Sequence, residues 1–248
     1  MYLPATAPSS SACRRAALAM AGTTGLVLVA LSHHPVAIKA SSVQQTLALL
    51  AELQFTDGLV HGVLTIMLAM LAAGFATFSV VLGLKRPAVV LAMTAYGLGC
   101  CVVVAAMLLD GFVVPQVAAK FASAPGTEVQ IAYAFLRIVG TVIQVLTKAG
   151  LLAMCVALLA WSYALAATPS WTGARWCAAI GAAGGLGSGL FLLLGNVLLT
   201  PASLMAIFAV HALWNAGVAG LMFQFSRTIA SKQIKPKQIV DSDLVPLI

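Results

Sequence analysis

The sequence predicts an all-α fold, a polytopic membrane helix bundle of six transmembrane helices with both the N-terminus and the C-terminus cytoplasmic. Three observations predict it. Of 248 residues, 62% are hydrophobic and 8% charged, whereas a water-facing domain carries about 25% charged residues; this excludes a soluble globular domain. Six apolar stretches are long enough to cross a hydrocarbon core of about 30 Å at about 1.5 Å per residue. Nine of the thirteen Lys and Arg residues then fall on one side of the bundle, and basic residues near span ends stay cytoplasmic.

The first stretch, residues 16–31, follows Arg14-Arg15 and ends at His33-His34-Pro35. It is short enough to be the apolar region of a signal peptide, with Ala30-Leu31-Ser32 at a cleavage spacing. A retained span, in which the Arg pair is a lasting anchor, is the preferred reading. Residues 41–54 place Val43, Leu47, Leu50 and Gln54 near one face, which predicts a short amphipathic helix on the outer surface. The second span, 58–84, stops at Lys85-Arg86-Pro87, and the third covers 88–109. An outer connection over 111–130, with Pro115 and the turn-prone Ala124-Pro125-Gly126, is long enough to fold back as a lid. The fourth span is 131–160 and the fifth 176–199, joined by a linker over 168–175; Thr200-Pro201 then leads into the sixth, 202–225. The domain plan is thus a cytoplasmic segment 1–15, a six-helix body 16–225 and a disordered cytoplasmic tail 226–248, whose lysines suit anionic headgroups. Cys13, Cys100, Cys101, Cys155 and Cys177 form neither a C-x-x-C nor a zinc pattern and read as reduced packing residues.

Ionisable and polar groups inside spans are costly and therefore informative. Arg137, Thr141, Gln144 and Lys148 follow one another at spacings of four, three and four, so they share a helix face and are expected to line the bundle interior. Snorkelling of Arg137 and Lys148 to opposite interfaces is the simpler alternative. Asp57 and His61 stand one turn apart. Asp57 is placed to cap the second span, and equally to orient His61 as a metal-binding or proton-relaying imidazole. Asp110 closes the third span, where the helix dipole disfavours an anion, so a cationic partner is expected, with Arg137 the nearest by depth.

Asn196, His211 and Asn215 are expected to hydrogen-bond across helices. A shared metal or haem would have to use His61 and His211, which lie at different depths. Gly181, Gly185 and Gly189 predict close helix approach, within the chain or to a second copy or membrane partner. Asp57-Gly58-Leu59-Val60 is echoed by Asp110-Gly111-Phe112-Val113, too short a match to establish duplication.

The run Tyr133-Ala134-Phe135-Leu136-Arg137-Ile138-Val139, then Pro169-Ser170-Trp171 and the Gly-rich fifth span, resembles uncharacterised six-span bacterial membrane proteins with an intramembrane arginine. The resemblance implies a bacterial inner-membrane location and no established activity. The chain departs from that pattern at Thr141, where an acidic residue would follow the arginine.

The functional expectation is a pocket in the outer half for a small polar or amphipathic ligand, built from Asp57, His61, Asp110, Arg137, Gln144 and Asn196, with His211 and Asn215 deeper. Membrane lipids are the expected surroundings; no nucleic acid and no cofactor is expected, and the sequence assigns no catalytic residues. A small-solute or proton-coupled transporter, a haem- or metal-binding oxidoreductase and a structural subunit are the alternatives. Against a transporter, no inverted repeat or pair of broken helices is visible.

Overall fold

The computed structural model describes residues 8–34, 40–168, 171, 173–195 and 198–233. Eight α-helices and one π-helical turn make up the described chain: α1 (Ser10–Ser32), α2 (Val43–Glu52), α3 (Gln54–Leu82), α4 (Pro87–Leu108), the π turn (Leu109–Val113), α5 (Val114–Phe121), α6 (Gly126–Ala166), α7 (Ala174–Leu194) and α8 (Pro201–Gln233). Six helical stretches are long and apolar enough to cross a membrane: α1, α3, α4 with its continuation to Phe121, α6, α7 and α8.

Local chemistry sets the helix starts. The hydroxyls of Ser9 and Ser42 accept from the backbone N–H groups of Ala12 and Gln45, closing the first turns of α1 and α2. Pro87 and Pro201 open α4 and α8, where a missing N–H costs nothing. Thr200 and Ser203 bond reciprocally at the start of α8. Gly83 and Gly173 take φ of 102° and 84° at the turns before α4 and α7, a backbone region that disfavours side chains. Arg86 donates to the Ala164 carbonyl and the Thr168 hydroxyl, satisfying acceptors at the end of α6.

Helix α6 packs along α4, and the approach is close because both faces carry glycine. A Cβ on Gly99 would lie 2.7 Å from the Gly150 carbonyl oxygen. Gly181 faces Trp214 and Ser162, Gly185 faces the Cys155 carbonyl and Leu158, and Gly189 faces Cys155. These contacts of α7 are thus made with α6 and α8 of the same chain. Helix α1 packs on α8 and α3: Ser10 donates to the Ser226 carbonyl at 2.7 Å, and Met20 fills the notch left by Gly74. A stack of Phe75, Tyr96, Trp161 and Trp214 occupies the middle, with the Trp161 indole N–H donating to Ser79. Four cysteines are buried, Cys101 is exposed, and none is in a disulfide.

Several boundaries differ from the sequence expectation. The lid over 111–130 is not a loop: α4 runs on through the π turn into α5, and α6 begins at Gly126. Amphipathic α2 lies on α5 and α6, burying Leu47, Ala118, Val129, Ala132 and Leu136 in a second small core; the apolar residues of the connection have a helical partner to cover. Helix α1 starts at Ser10, before the Arg pair, because Ser9 caps it. Helix α8 extends to Gln233, so the first part of the expected tail is helical, while residues 234–248 lie outside the described residues.

Candidate functional site

The ends of α1, α3 and α4 meet around one imidazole. His61 is buried on the first turns of α3 with both ring nitrogens occupied. Its Nδ1 lies 2.9 Å from the Asp57 carbonyl oxygen and 3.1 Å from Asp57 Oδ1. Its Nε2 lies 3.3 Å from His34 Nε2 and 3.4 Å from Asp110 Oδ2. The His34 ring meets the His61 ring edge-on, with centroids 4.9 Å apart.

Each partner is delivered by a local feature. Helix α3 follows α2 after Leu53 alone and so begins at Gln54, earlier than the apolar pattern suggests. Leu53 is its N-cap, with no side-chain capping bond. Asp57 therefore does not cap the helix, because it already lies a turn inside, and its carboxylate is directed to His61 one turn on. Asp110 does not end a helix. It sits in the π turn, whose extra residue per turn keeps the backbone bonded into α5, so the dipole argument for a cationic partner does not apply. Gly111 makes the approach feasible, since a methyl group there would collide with Cβ and Cγ of His61. The two Asp-Gly pairs of the sequence echo thus meet in space: the aspartates flank His61, and a Cβ on Gly58 would lie 3.5 Å from the Gly111 carbonyl oxygen.

Beside the cluster lies a cavity of about 90 Å³ between α1, α3, α4, α6 and α8. His34, His61 and Asp110 line it together with apolar side chains, among them Val27, Leu31, Leu64, Leu68, Val103 and Phe208, and with Thr147 of α6. It is therefore an apolar slot with one polar end.

The remaining expected site residues are dispersed. Arg137 and Thr141 are exposed, and among the described residues no ion pair joins Arg137 to Asp110. On this part of α6 the neighbouring Leu136, with Val129 and Ala132, is buried against α2 and α5, and Arg137 beside it is left on the exposed side. Thr141 donates to the Arg137 carbonyl in its own helix. Gln144 is half-buried, donates to the Leu199 carbonyl and accepts from its N–H, holding the α7–α8 connection. Lys148 is half-buried and does not line this cavity. The interior-stripe expectation is corrected accordingly: Ile143, Thr147 and Leu151, one position earlier in register, face the cavity. Asn196 lies outside the described residues.

His211 and Asn215 sit elsewhere, around a smaller cavity of about 20 Å³ shared with Thr24 and Tyr96. Asn215 donates to Thr24 across to α1 at 3.3 Å, as interhelical bonding requires. The His211 Nε2 is buried with no partner among the described residues. His61 and His211 line different cavities, so a metal shared between them is not what the fold arranges. The ligand-spaced group is instead His34, Asp57 and His61, with donor atoms all within 4.8 Å.

His34 is the site residue that sequence reasoning missed. It reads as a turn marker beside Pro35, although the even topology already places the end of α1 and the start of α3 at the same end of the bundle. No family model, no curated protein and no solved structure matches this chain.

Proposed function

We propose that this chain is a multi-pass protein of the bacterial inner membrane that binds a small amphipathic ligand, with both termini cytoplasmic and the His61 cluster in the outer half. The observation that carries the reading is the cavity: an apolar slot whose single polar end gathers His34, His61 and Asp110. Ligand sites combine such a mainly apolar wall with a few convergent polar groups. Its volume, about 90 Å³, suits one short chain with a polar head rather than a two-tailed lipid. The orientation rests on the Lys and Arg distribution, which places Arg14, Arg15, Lys85, Arg86, Arg175 and Arg227 on one side.

Native mass spectrometry of the detergent-purified protein tests the ligand. Wild type is expected to carry a small bound mass that Leu68→Trp, which fills the slot beside the cluster, has lost. Identical spectra from both proteins would end this reading. Fluorescent and phosphatase reporters fused after Gln233 test the orientation; a phosphatase active at that end would reverse it.

A further inference from the structure

His34, His61 and Asp110 line the polar end of the slot, and the separations of His61 Nε2 from the other two are those of donors on one ion. We infer that His34 and His61, with the Asp110 carboxylate, form a binding site for a divalent transition-metal ion of the zinc class, in which Asp57 orients His61. The inference rests on the amphiphile reading only in placing the ion at the head of that slot; the metal chemistry stands on the donors themselves.

Two donors on a tetrahedral zinc ion, with bonds of about 2.0–2.1 Å, lie about 3.3–3.4 Å apart. His34 Nε2 is 3.3 Å from His61 Nε2, and Asp110 Oδ2 is 3.4 Å from the same atom. Hydrogen bonding alone explains this poorly. Both separations exceed the roughly 2.9–3.0 Å typical of such bonds, so a single hydrogen on His61 Nε2 shared between the two would be held weakly by each. One cation between them satisfies all three groups at once.

The far side of the ring agrees. His61 Nδ1 faces the Asp57 carbonyl at 2.9 Å and its carboxylate at 3.1 Å. A proton on Nδ1 serves both and leaves the Nε2 lone pair directed at the other donors, the carboxylate–histidine–metal arrangement. Two imidazoles with carboxylate favour zinc, cobalt or nickel, whereas magnesium and calcium take oxygen ligands. Two aspartates also match a divalent charge, and among the described residues neither pairs with Lys or Arg.

The test uses the full chain in detergent, stripped with EDTA and titrated with zinc chloride by calorimetry, with cobalt absorption as a second readout. Wild type is expected to bind one ion per chain. His34→Ala and His61→Ala should each weaken binding by at least about 100-fold, and Asp57→Asn by about 10–100-fold, as outer partners do. His211→Ala should bind as wild type. Should His61→Ala fail to fold, His34→Ala, at a half-exposed position after α1, carries the same comparison. Absence of stoichiometric binding, or equal binding by His34→Ala, overturns the inference. Leu68→Trp separates the two proposals: it should lose the bound amphiphile and keep zinc. A wild type that keeps the amphiphile and takes up no zinc overturns the metal site and leaves the amphiphile reading standing.

Discussion

Gly111 lies against His61 so closely that any side chain at that position would collide with the imidazole. The π turn and the first turns of α3 are therefore fitted to each other at one residue. Gly111→Ala should destabilise the protein by about 1–3 kcal/mol, the usual cost of overpacking. Gly58→Ala meets only ordinary contact, at 3.5 Å, and alanine is the better helix former by about 1 kcal/mol, so it should be neutral or stabilising. Unfolding midpoints in detergent check the contrast; equal losses for the two would refute the fitted contact.

Asp110 answers to His61 rather than to Arg137, and a double-mutant cycle can show it. Arg137→Ala should change stability by no more than about 0.5 kcal/mol, as exposed substitutions do. Its effect should add to that of Asp110→Ala within about 0.5 kcal/mol. Asp110→Ala and His61→Ala, whose groups are 3.4 Å apart, should instead be non-additive by about 0.5–3 kcal/mol. Strong coupling of Arg137 to Asp110 would contradict the arrangement.

The helical plan was legible because long apolar segments, of the kind a hydrocarbon solvent would demand, are recognisable whatever their partners, and each of the six stretches holds a helix long and apolar enough to cross a membrane. The site was legible in part. Asp57 and His61 are neighbours by helix geometry alone, and Asp110 falls at the same end by topology. What failed were inferences about where helices stop. Apolarity marks the part of a helix that suits lipid, not the part that is hydrogen-bonded, so α3 begins before Gly58 and α4 continues past Asp110. Both errors shifted a carboxylate's role. The stripe of Arg137, Thr141, Gln144 and Lys148 misled because residues sharing a helix face need not share an environment: Arg137 and Thr141 are exposed, whereas Gln144 and Lys148 are half-buried and Gln144 holds Leu199.

Gln144 is the member of that stripe with a structural role, since its amide holds both backbone groups of Leu199 at 3.0 and 2.8 Å. Gln144→Leu leaves a partly buried N–H and C=O without partners, which should cost about 1–3 kcal/mol. Thr141→Ala removes only a bond within α6 and should cost no more than about 0.5 kcal/mol. Hydrogen exchange should accelerate at Leu199 in Gln144→Leu and remain unchanged there in Thr141→Ala. Unchanged protection in both would show that the clamp is absent in solution.

Helix α1 is built into the bundle, with Cys13, Ala17, Met20, Val27 and Leu31 buried, whereas Leu18 is 59% exposed. Met20 fills the notch at Gly74, with its sulfur 2.9 Å from where a Cβ would stand. In lipid there is little hydrophobic drive between helices, so truncating a buried side chain costs mainly its packing contacts. Met20→Ala should therefore lower stability by about 2–3 kcal/mol, at the low end of core truncations, and Leu18→Ala, which faces outward, by less than about 0.5 kcal/mol. The same pair distinguishes a retained first span from a cleaved leader: with α1 removed, both variants would yield one mature protein with one unfolding midpoint. The expected result is two distinct midpoints, together with an intact mass that contains residues 10–32.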